Sequence, residues 1–357
     1  QGLTDFMQLP PASDDYTPEE EEYVTRYNPR ENVYQNWKQK GGTLFNTTAA
    51  LNLTILKGLT FRTEFGIDFN NSYQKRFYGS KNSNADRYSN GMPYVELTKV
   101  ESPKYRLANI LTYQFDLKKQ HHFNLMLGQE LNNSQSLTNF MSARYLPMSI
   151  TPEKAFDNMT LGEAYQTNSS KSTPERLASF FGRLMYDFNR RFYATFTIRA
   201  DGSTKFAPGN QWGYFPAASL AWRVSEERFL KNTFVSNLKV RLSSGISGNN
   251  RIANDLWKST YKLSSSKGPG WNEAINSYYT YGSDYLPNPS LKWEKTITNN
   301  LGFDFGFFNE KLSGTLDLYV NNTKDLLVPS SIPQTTGFSQ QQTNVGETQN
   351  KGIELTL

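Results

Sequence analysis

The sequence predicts an all-β fold, an antiparallel transmembrane β-barrel with short periplasmic turns and long extracellular loops. Three observations carry this reading. Side chains alternate with period two over runs longer than soluble strands usually need, tight turns take turns with long polar links, and the apolar mass is concentrated in aromatic residues. Of the 357 residues, 37% are hydrophobic and 14% aromatic, so aromatic side chains, chiefly Phe and Tyr, supply more than a third of the apolar residues, and these suit strands. No stretch approaches the roughly 20 consecutive apolar residues of a spanning helix. A membrane role therefore falls to strands.

The first element to justify is the strand. From Leu59 to Asn70 the chain places Leu59, Phe61, Thr63, Phe65, Ile67 and Phe69 against Thr60, Arg62, Glu64, Gly66, Asp68 and Asn70. Period two means one apolar and one polar face. In "RRFYATFTIRADGSTKF", Arg190 to Phe206, the residues Phe192, Ala194, Phe196 and Ile198 share one side, and Tyr193, Thr195, Thr197 and Arg199 share the other. The pattern recurs at 105–117, 214–224, 297–307 and 312–320, with Asn109 and Ile110 as interruptions. Soluble strands run to about five or six residues, whereas spanning strands need about 9–11. The clean runs here reach the longer length.

Connections come next. Short links fall at Lys57-Gly58, Lys118-Lys119-Gln120, Asn189-Arg190 and Asn309-Glu310, and long polar links near 79–103, 133–175, 202–212, 248–294 and 322–345. The intermediate link "SEERFLKNTF", Ser225 to Phe234, falls where a short one is due and predicts a helical turn with Ser225 as its N-cap. Alternating short and long links put every long loop at one end of an up-and-down sheet, the pattern of an outer-membrane barrel. The apolar row then faces lipid and the polar row a wet or plugged lumen.

About eleven strands follow from these rules: 43–56, 59–78, 104–117, 121–132, 177–188, 191–201, 213–224, 236–247, 295–308, 311–321 and 346–357. Bacterial single-chain barrels use an even number, so an odd count reads as part of a larger barrel. Residues 1–42, with an acidic run at Glu19 to Glu22, form a polar leading segment or extracellular loop, and 43–357 form the partial barrel.

Four blocks in order resemble the SusC-like, also called RagA-like, TonB-dependent outer-membrane transporters of Bacteroidetes. They are "IRADGSTKFAPGNQWGYFPAASLAWRVSEERFLK" (198–231), "LKVRLSSGISGN" (238–249), "NPSLKWEKT" with "GFDFGFFNEKLSGTLDLYVNNTKDLL" (288–296 and 302–327), and "NVGETQNKGIELTL" (344–357). The resemblance runs from about Thr43 onward. It implies a complete barrel of about 22 strands around a plug, a SusD-like lipoprotein that closes the outer mouth, and uptake of glycans or oligopeptides with energy delivered by the TonB complex. No plug, TonB-contacting segment or closing C-terminal strand is recognisable in the sequence, so those parts are expected outside it.

Composition excludes other chemistries. The chain has no Cys, which removes disulfide frameworks and thiolate metal sites. Net charge is +5, but Lys and Arg are scattered singly or in pairs, as in "YQKRFYGSK" and "FNRRFY", without the basic block of a nucleic-acid binder. The only histidines, His121 and His122, are adjacent, and adjacent strand residues point to opposite faces; a shared metal is not expected. The sequence "SSGISGNN" lacks the lysine and strand-to-helix context of a phosphate loop. Glu64, Asp68, Asp304 and Asp317 belong to the polar face, where a wet lumen explains them without a glycosidase acid/base pair. No catalytic residue, cofactor or metal is assigned.

Substrate contact falls to loop aromatics, whose flat rings stack on sugars or pack against peptide side chains. Trp271, Tyr278, Tyr279 and Tyr281 in "GWNEAINSYYTYGSDY" form the densest cluster, and Phe140, Tyr145 and Tyr165 in the 133–175 link form a second. The competing role for the same rings is packing against the lid or against other loops. Two further readings stand beside the importer. A passive structural or adhesive barrel would lack plug and lid, and a soluble carbohydrate-binding β-protein would need no detergent.

Overall fold

The computed structural model describes residues 29–230, 233–264 and 278–357. The described residues open with α1 (Pro29–Tyr34), β1 (Asn36–Leu56), β2 (Leu59–Tyr78), α2 (Ser83–Ser89), β3 (Tyr94–Leu117) and β4 (His121–Ser134). It continues through β5 (Leu137–Arg144), α3 (Pro152–Asp157), β6 (Glu163–Lys171), β7 (Glu175–Phe188), β8 (Phe192–Ser203), β9 (Trp212–Arg223) and β10 (Val235–Asn249). The remainder comprises β11 (Tyr261–Ser264), β12 (Tyr278–Tyr281), β13 (Tyr285–Leu286), β14 (Glu294–Phe307), β15 (Leu312–Lys324), β16 (Leu327–Ser331), β17 (Gln340–Asn344) and β18 (Glu347–Thr356).

The main sheet runs β1-β2-β3-β4-β7-β8-β9-β10-β14-β15-β18, with β5 branching from β3 and β6 from β5. These eleven path strands correspond to the eleven that the alternation predicts. Among the described residues β1 and β18 remain edges, so the sheet does not close, as a partial barrel requires. By compactness the chain divides in two. One unit takes the described residues through Thr47 with Ile67–Lys104 and Ser134–Ser172, and the other takes Thr48–Gly66, Tyr105–Asn133 and Thr173–Leu357.

Turn chemistry explains the tight ends. Asn189 and Arg190 adopt φ of 53° and 57°, and Lys118 and Lys119 adopt 54° and 55°. Paired left-handed residues match the twist of the flanking strands. Gly58, at φ 84°, has no room for a side chain, because a Cβ would lie 2.1 Å from the Gln114 carbonyl oxygen. The link after β9 folds as two 3-10 turns, Val224–Glu226 and Arg228–Leu230. Ser225 does not cap it: the cap position is Arg223, with no side-chain hydrogen bond. The ordering contact is Glu227, whose Oε1 accepts from Arg191 Nε and Trp222 Nε1, each at 3.1 Å. Those bonds, Arg191 first, hold the Glu227 carboxyl below the usual carboxylate range.

Burial is inverted relative to a soluble sheet. On β8, Phe196 and Ile198 are 50% and 57% exposed, and the same row holds Leu242 at 56% and Ile353 at 73%. The opposite face carries ion pairs. Arg241 bonds Asp304 at 2.8 Å and Asp317 at 3.2 Å, Arg106 joins Glu64 at 2.7 Å and Glu130 at 3.5 Å, and Arg199 bonds Asp201 and Ser179. Gly302 gives the first cluster its room, since a Cβ there would lie 2.7 Å from the Arg241 guanidinium carbon. Asn109, an interruption of the apolar row, donates from Nδ2 to Gln129 Oε1 at 3.3 Å. An amide on the lipid side is thus hydrogen-bonded to a neighbouring strand, which lowers the cost of keeping it out of water.

Most of the buried residues belong to the long links or to the ends of the strands beside them. Phe206, Phe215, Ile252, Leu256, Leu291 and Trp293 form one core; Phe77, Val95, Ala143, Leu146 and Ala155 form another. The 133–175 link is accordingly not a plain polar loop. β5 pairs with an extension of β3, Val95↔Ala143 through Glu101↔Leu137, and β6 pairs with β5. This pairing is why β3 begins at Tyr94 rather than Lys104, and β1 likewise begins earlier than the alternation predicts, at Asn36. The 322–345 link contains β16 and β17, which join β13 in a three-stranded sheet.

The two faces make a contrasting prediction for neighbouring residues. Phe196→Arg should lower the stability of the receptor in lipid by about 2–4 kcal/mol, the cost of a cation near mid-bilayer, whereas Thr195→Arg on the polar face should cost little. Urea unfolding from lipid vesicles measures both. Equal losses would mean that the exposed apolar row does not face lipid.

Candidate functional site

The strongest cluster grows from the β5–β6 hairpin. Its register pairs Arg144 with Glu163, and Arg144 Nη2 donates to Glu163 Oε1 at 2.8 Å. The guanidinium carbon lies 4.7 Å from the ring centroids of both Tyr145 and Tyr165. It is thus held between two π faces, an arrangement favourable for a planar cation. Tyr145 reaches this position from the left-handed region, at φ 56°, uncommon for a bulky residue and found where surroundings enforce it. Part of that enforcement is the bond from its backbone N–H to Ser89 Oγ, 2.7 Å long.

Beside Arg144 lies a cluster of tyrosines. Tyr165 meets Tyr88 and Tyr94, each with centroids 6.2 Å apart, and Tyr94 also packs on Tyr88 at 5.4 Å and Tyr78 at 5.7 Å. The helix that supplies Tyr88 starts at Asn82, whose side chain accepts from the Asn84 N–H, and ends at Asn90 in the left-handed conformation. The hydroxyls of Tyr78 and Tyr94 donate to the two oxygens of Glu96, both at 3.3 Å. Burial pushes the Tyr94 hydroxyl up to about 12 and raises Tyr78 as well. The cluster presents ring faces, a guanidinium and a carboxylate for stacking and hydrogen bonding.

The sequence candidates divide accordingly. Tyr145 and Tyr165 come together, with Arg144 between them. Phe140 does not join them: it pairs with Thr98 and Asn168 within the β3–β5–β6 ladder. Tyr281 stacks on Tyr261 at 5.5 Å and packs at a tilt against Phe338 at 4.6 Å; the two tyrosines are exposed and Phe338 is buried. Tyr278 and Tyr279 lie in β12, opposite Ser264 and Leu263, and Trp271 lies outside the described residues. Sequence reading missed Arg144, Tyr88, Tyr94, Tyr261 and Phe338. The Arg144-Tyr145 dipeptide at the end of an alternating run was the available signal, but its partners come from elements distant in sequence.

The other polar candidates have separate partners. His121 Nδ1 lies 2.7 Å from Tyr186 Oη, and His122 Nδ1 lies 2.6 Å from Asp116 Oδ1. Asp68 is bonded by Asn46, and Glu64, Asp304 and Asp317 are held by arginines as above.

An antiparallel sheet with apolar side chains outward, ion pairs on the opposite face and packed cores in its long links is the wall of a transmembrane β-barrel. Residues 2–357 match the family described as TonB dependent receptor-like, beta-barrel, and the chain belongs to that family, in its SusC/RagA-like branch, whose proteins reside in the bacterial outer membrane. It is 30% identical to a TonB-dependent receptor of Formosa agariphila over 90% of this chain and 29% of that protein. It is 40% identical to the TonB-dependent receptor SusC of Bacteroides thetaiotaomicron over 52% of this chain and 19% of that protein. The structure of the RagAB peptide transporter shares the fold, with a TM-score of 0.76 at 22% identity over 90% of this chain and 34% of that one. The chain therefore spans less than a third of the length of the curated relatives it matches.

The buried Tyr94 of this cluster has a titration consequence. An ordinary Tyr ionises near pH 10, so below that pH the stability due to the raised Tyr94 pKa is fully present, and it is lost as pH rises from about 10 toward about 12 because the unfolded chain ionises first. The tyrosinate absorbance of the receptor minus that of its Tyr94→Phe variant should show one residue titrating late. A difference curve centred near pH 10 would show that burial at this position is not retained in solution.

Proposed function

We propose that this segment forms part of the barrel of an outer-membrane importer of glycans or oligopeptides. The importer works with a SusD-like lid lipoprotein and draws energy from the TonB complex. The observation that carries the proposal is the family match along essentially the whole chain, together with the assignment to the SusC/RagA-like branch. RagAB is described as a peptide transporter, which supports an oligopeptide as one of the two substrate classes. The segment contributes lipid-facing wall, polar lumen wall and outer loops. Among those loops, the Tyr145–Arg144–Tyr165 sandwich with Glu163 is the proposed ligand contact: rings stack on a sugar face or a peptide side chain, while guanidinium and carboxylate bond hydroxyls, amides or chain termini. Tyr281 with Tyr261 is a second proposed contact.

The test begins with the receptor purified in detergent from native outer membranes. Mass spectrometry should identify a co-purifying SusD-like lipoprotein and a bound glycan or peptide, which decides the substrate class. With that ligand, Arg144→Ala and Tyr165→Ala should each weaken binding by about tenfold, roughly 1.4 kcal/mol. Wild-type affinity in both variants would assign the sandwich to loop packing. A receptor that never co-purifies with a lipoprotein and takes up no solute in a TonB-dependent way would reject the importer reading itself.

A further inference from the structure

We propose that the periplasmic rim of this wall carries a binding site for an anionic phospholipid of the periplasmic leaflet, with Lys118, Lys119 and Arg190 as its headgroup ligands. The inference rests on the outer-membrane location and on the sidedness set by the short turns, and not on the importer reading. Short turns mark the periplasmic end of an outer-membrane barrel, where the leaflet consists of phospholipid. Two such turns meet here. The backbone N–H of Asn189 donates to the Gln120 carbonyl oxygen at 2.8 Å, which joins the β7–β8 turn to the β3–β4 turn. Lys118, Lys119 and Arg190 are all exposed on this joined rim.

The carboxylates nearby are engaged elsewhere. Asp116 and Asp187 alternate with the apolar residues Phe115, Leu117, Tyr186 and Phe188, and so belong to the polar face. There Asp116 meets His122 Nδ1 at 2.6 Å, and Asp187 accepts from the Arg190 backbone N–H at 2.7 Å. Glu227 is taken by Arg191 and Trp222. Lys118, Lys119 and Arg190 have no ion-pair partner among the described residues.

The next row toward the bilayer centre is aromatic. The register aligns Phe188, Phe192 and Trp222 across β7, β8 and β9, with successive ring centroids 6.4 Å and 6.0 Å apart. On the β4 side His121 packs against Phe188 at 4.9 Å. Aromatic girdles mark the membrane interface, so cations in the turns just beyond this one stand at headgroup height, where basic side chains attract anionic lipid. Inside the girdle lies a hollow of about 310 Å³, bordered by Phe192, Trp222 and Leu242. Its floor is Ala194, the one small side chain in the row Tyr186, Ala194, Leu220 and Leu242.

Unpaired cations over an apolar trough are complementary to a lipid phosphate with its acyl chain alongside. A larger hollow on the same face, about 720 Å³ and lined by Leu127, Phe196 and Ile198, lies at mid-depth. Its only charged lining residue, Arg183, belongs by alternation to the polar face, so nothing in that hollow selects an anionic headgroup.

The test places the receptor bearing this segment in nanodiscs of equal phosphatidylglycerol and phosphatidylethanolamine, and reads retained lipids by native mass spectrometry. Wild type should retain phosphatidylglycerol several-fold over phosphatidylethanolamine. Combining Lys118→Gln, Lys119→Gln and Arg190→Gln should abolish the preference, whereas Lys118→Arg, Lys119→Arg and Arg190→Lys together should keep most of it. Lys324→Gln, which removes a cation at the outer end of β15, should leave it intact. Ala194→Phe, which fills the trough, should reduce retention of both lipids. Heat-modifiable gel migration checks that each variant is folded. Equal retention of the two lipids by wild type, a preference unchanged in the triple glutamine variant, or one lost as fully in Lys324→Gln, would overturn the proposal.

Discussion

The constraint on which the rest depends is that a bilayer core offers no hydrogen-bonding partner. Every backbone N–H and C=O within it must be paired by the protein, so a wall of strands must be continuously laddered. The eleven-strand path from β1 to β18 meets that demand strand by strand. Once the ladder is fixed, the pleat sends alternate side chains to opposite faces, and lipid selects the apolar row as the exposed one. Phe196, Ile198 and Leu242 are therefore exposed by design, while Arg241, Asp304 and Asp317 gather where water and neighbouring charges solvate them.

This division also explains where tertiary packing occurs. A single sheet with lipid on one side and a polar lumen on the other has no interior of its own, and most buried side chains are found in the connections or at the strand ends beside them. Phe206, Leu291 and Trp293 close one such core, and Val95, Leu146 and Ala155 another. Long links with cores of their own can hold side chains in defined positions. The strained Tyr145 backbone, the Ser89 bond and the tyrosine cluster beside Arg144 are the local expression of that rigidity, and a ligand-contacting surface benefits from it because less ordering is needed on binding.

The same logic assigns different work to similar residues. Tyr94 and Tyr165 are loop-core and loop-surface rings, whereas Tyr105 and Trp212 are interface rings on the lipid side. Arg241 is neutralised by two carboxylates, Arg144 lies against two rings and pairs with Glu163, and Arg176, at the start of β7, has no ion-pair partner among the described residues. Environment, rather than residue type, separates these roles.

The sequence by itself determined the strand path, the orientation of each strand's faces and the positions of the tight turns. Period two is a local property, and turns such as Lys57-Gly58 and Asn189-Arg190 announce themselves through one residue that tolerates positive φ, Gly58 or Asn189. The family was legible because four blocks keep their order along the chain. Tertiary structure alone decided what the long links do. β5 and β6 are short and polar, and they become strands only because β3 extends past the membrane to pair with β5. Ser225 resembles a helix cap, but the carboxylate of Glu227, drawn by Arg191 and Trp222, organises that link. Of the predicted site, Tyr145 and Tyr165 were visible as loop aromatics. Their joining through Arg144 was not, because it depends on cross-strand register and on Tyr88 and Tyr94 arriving from a separate connection.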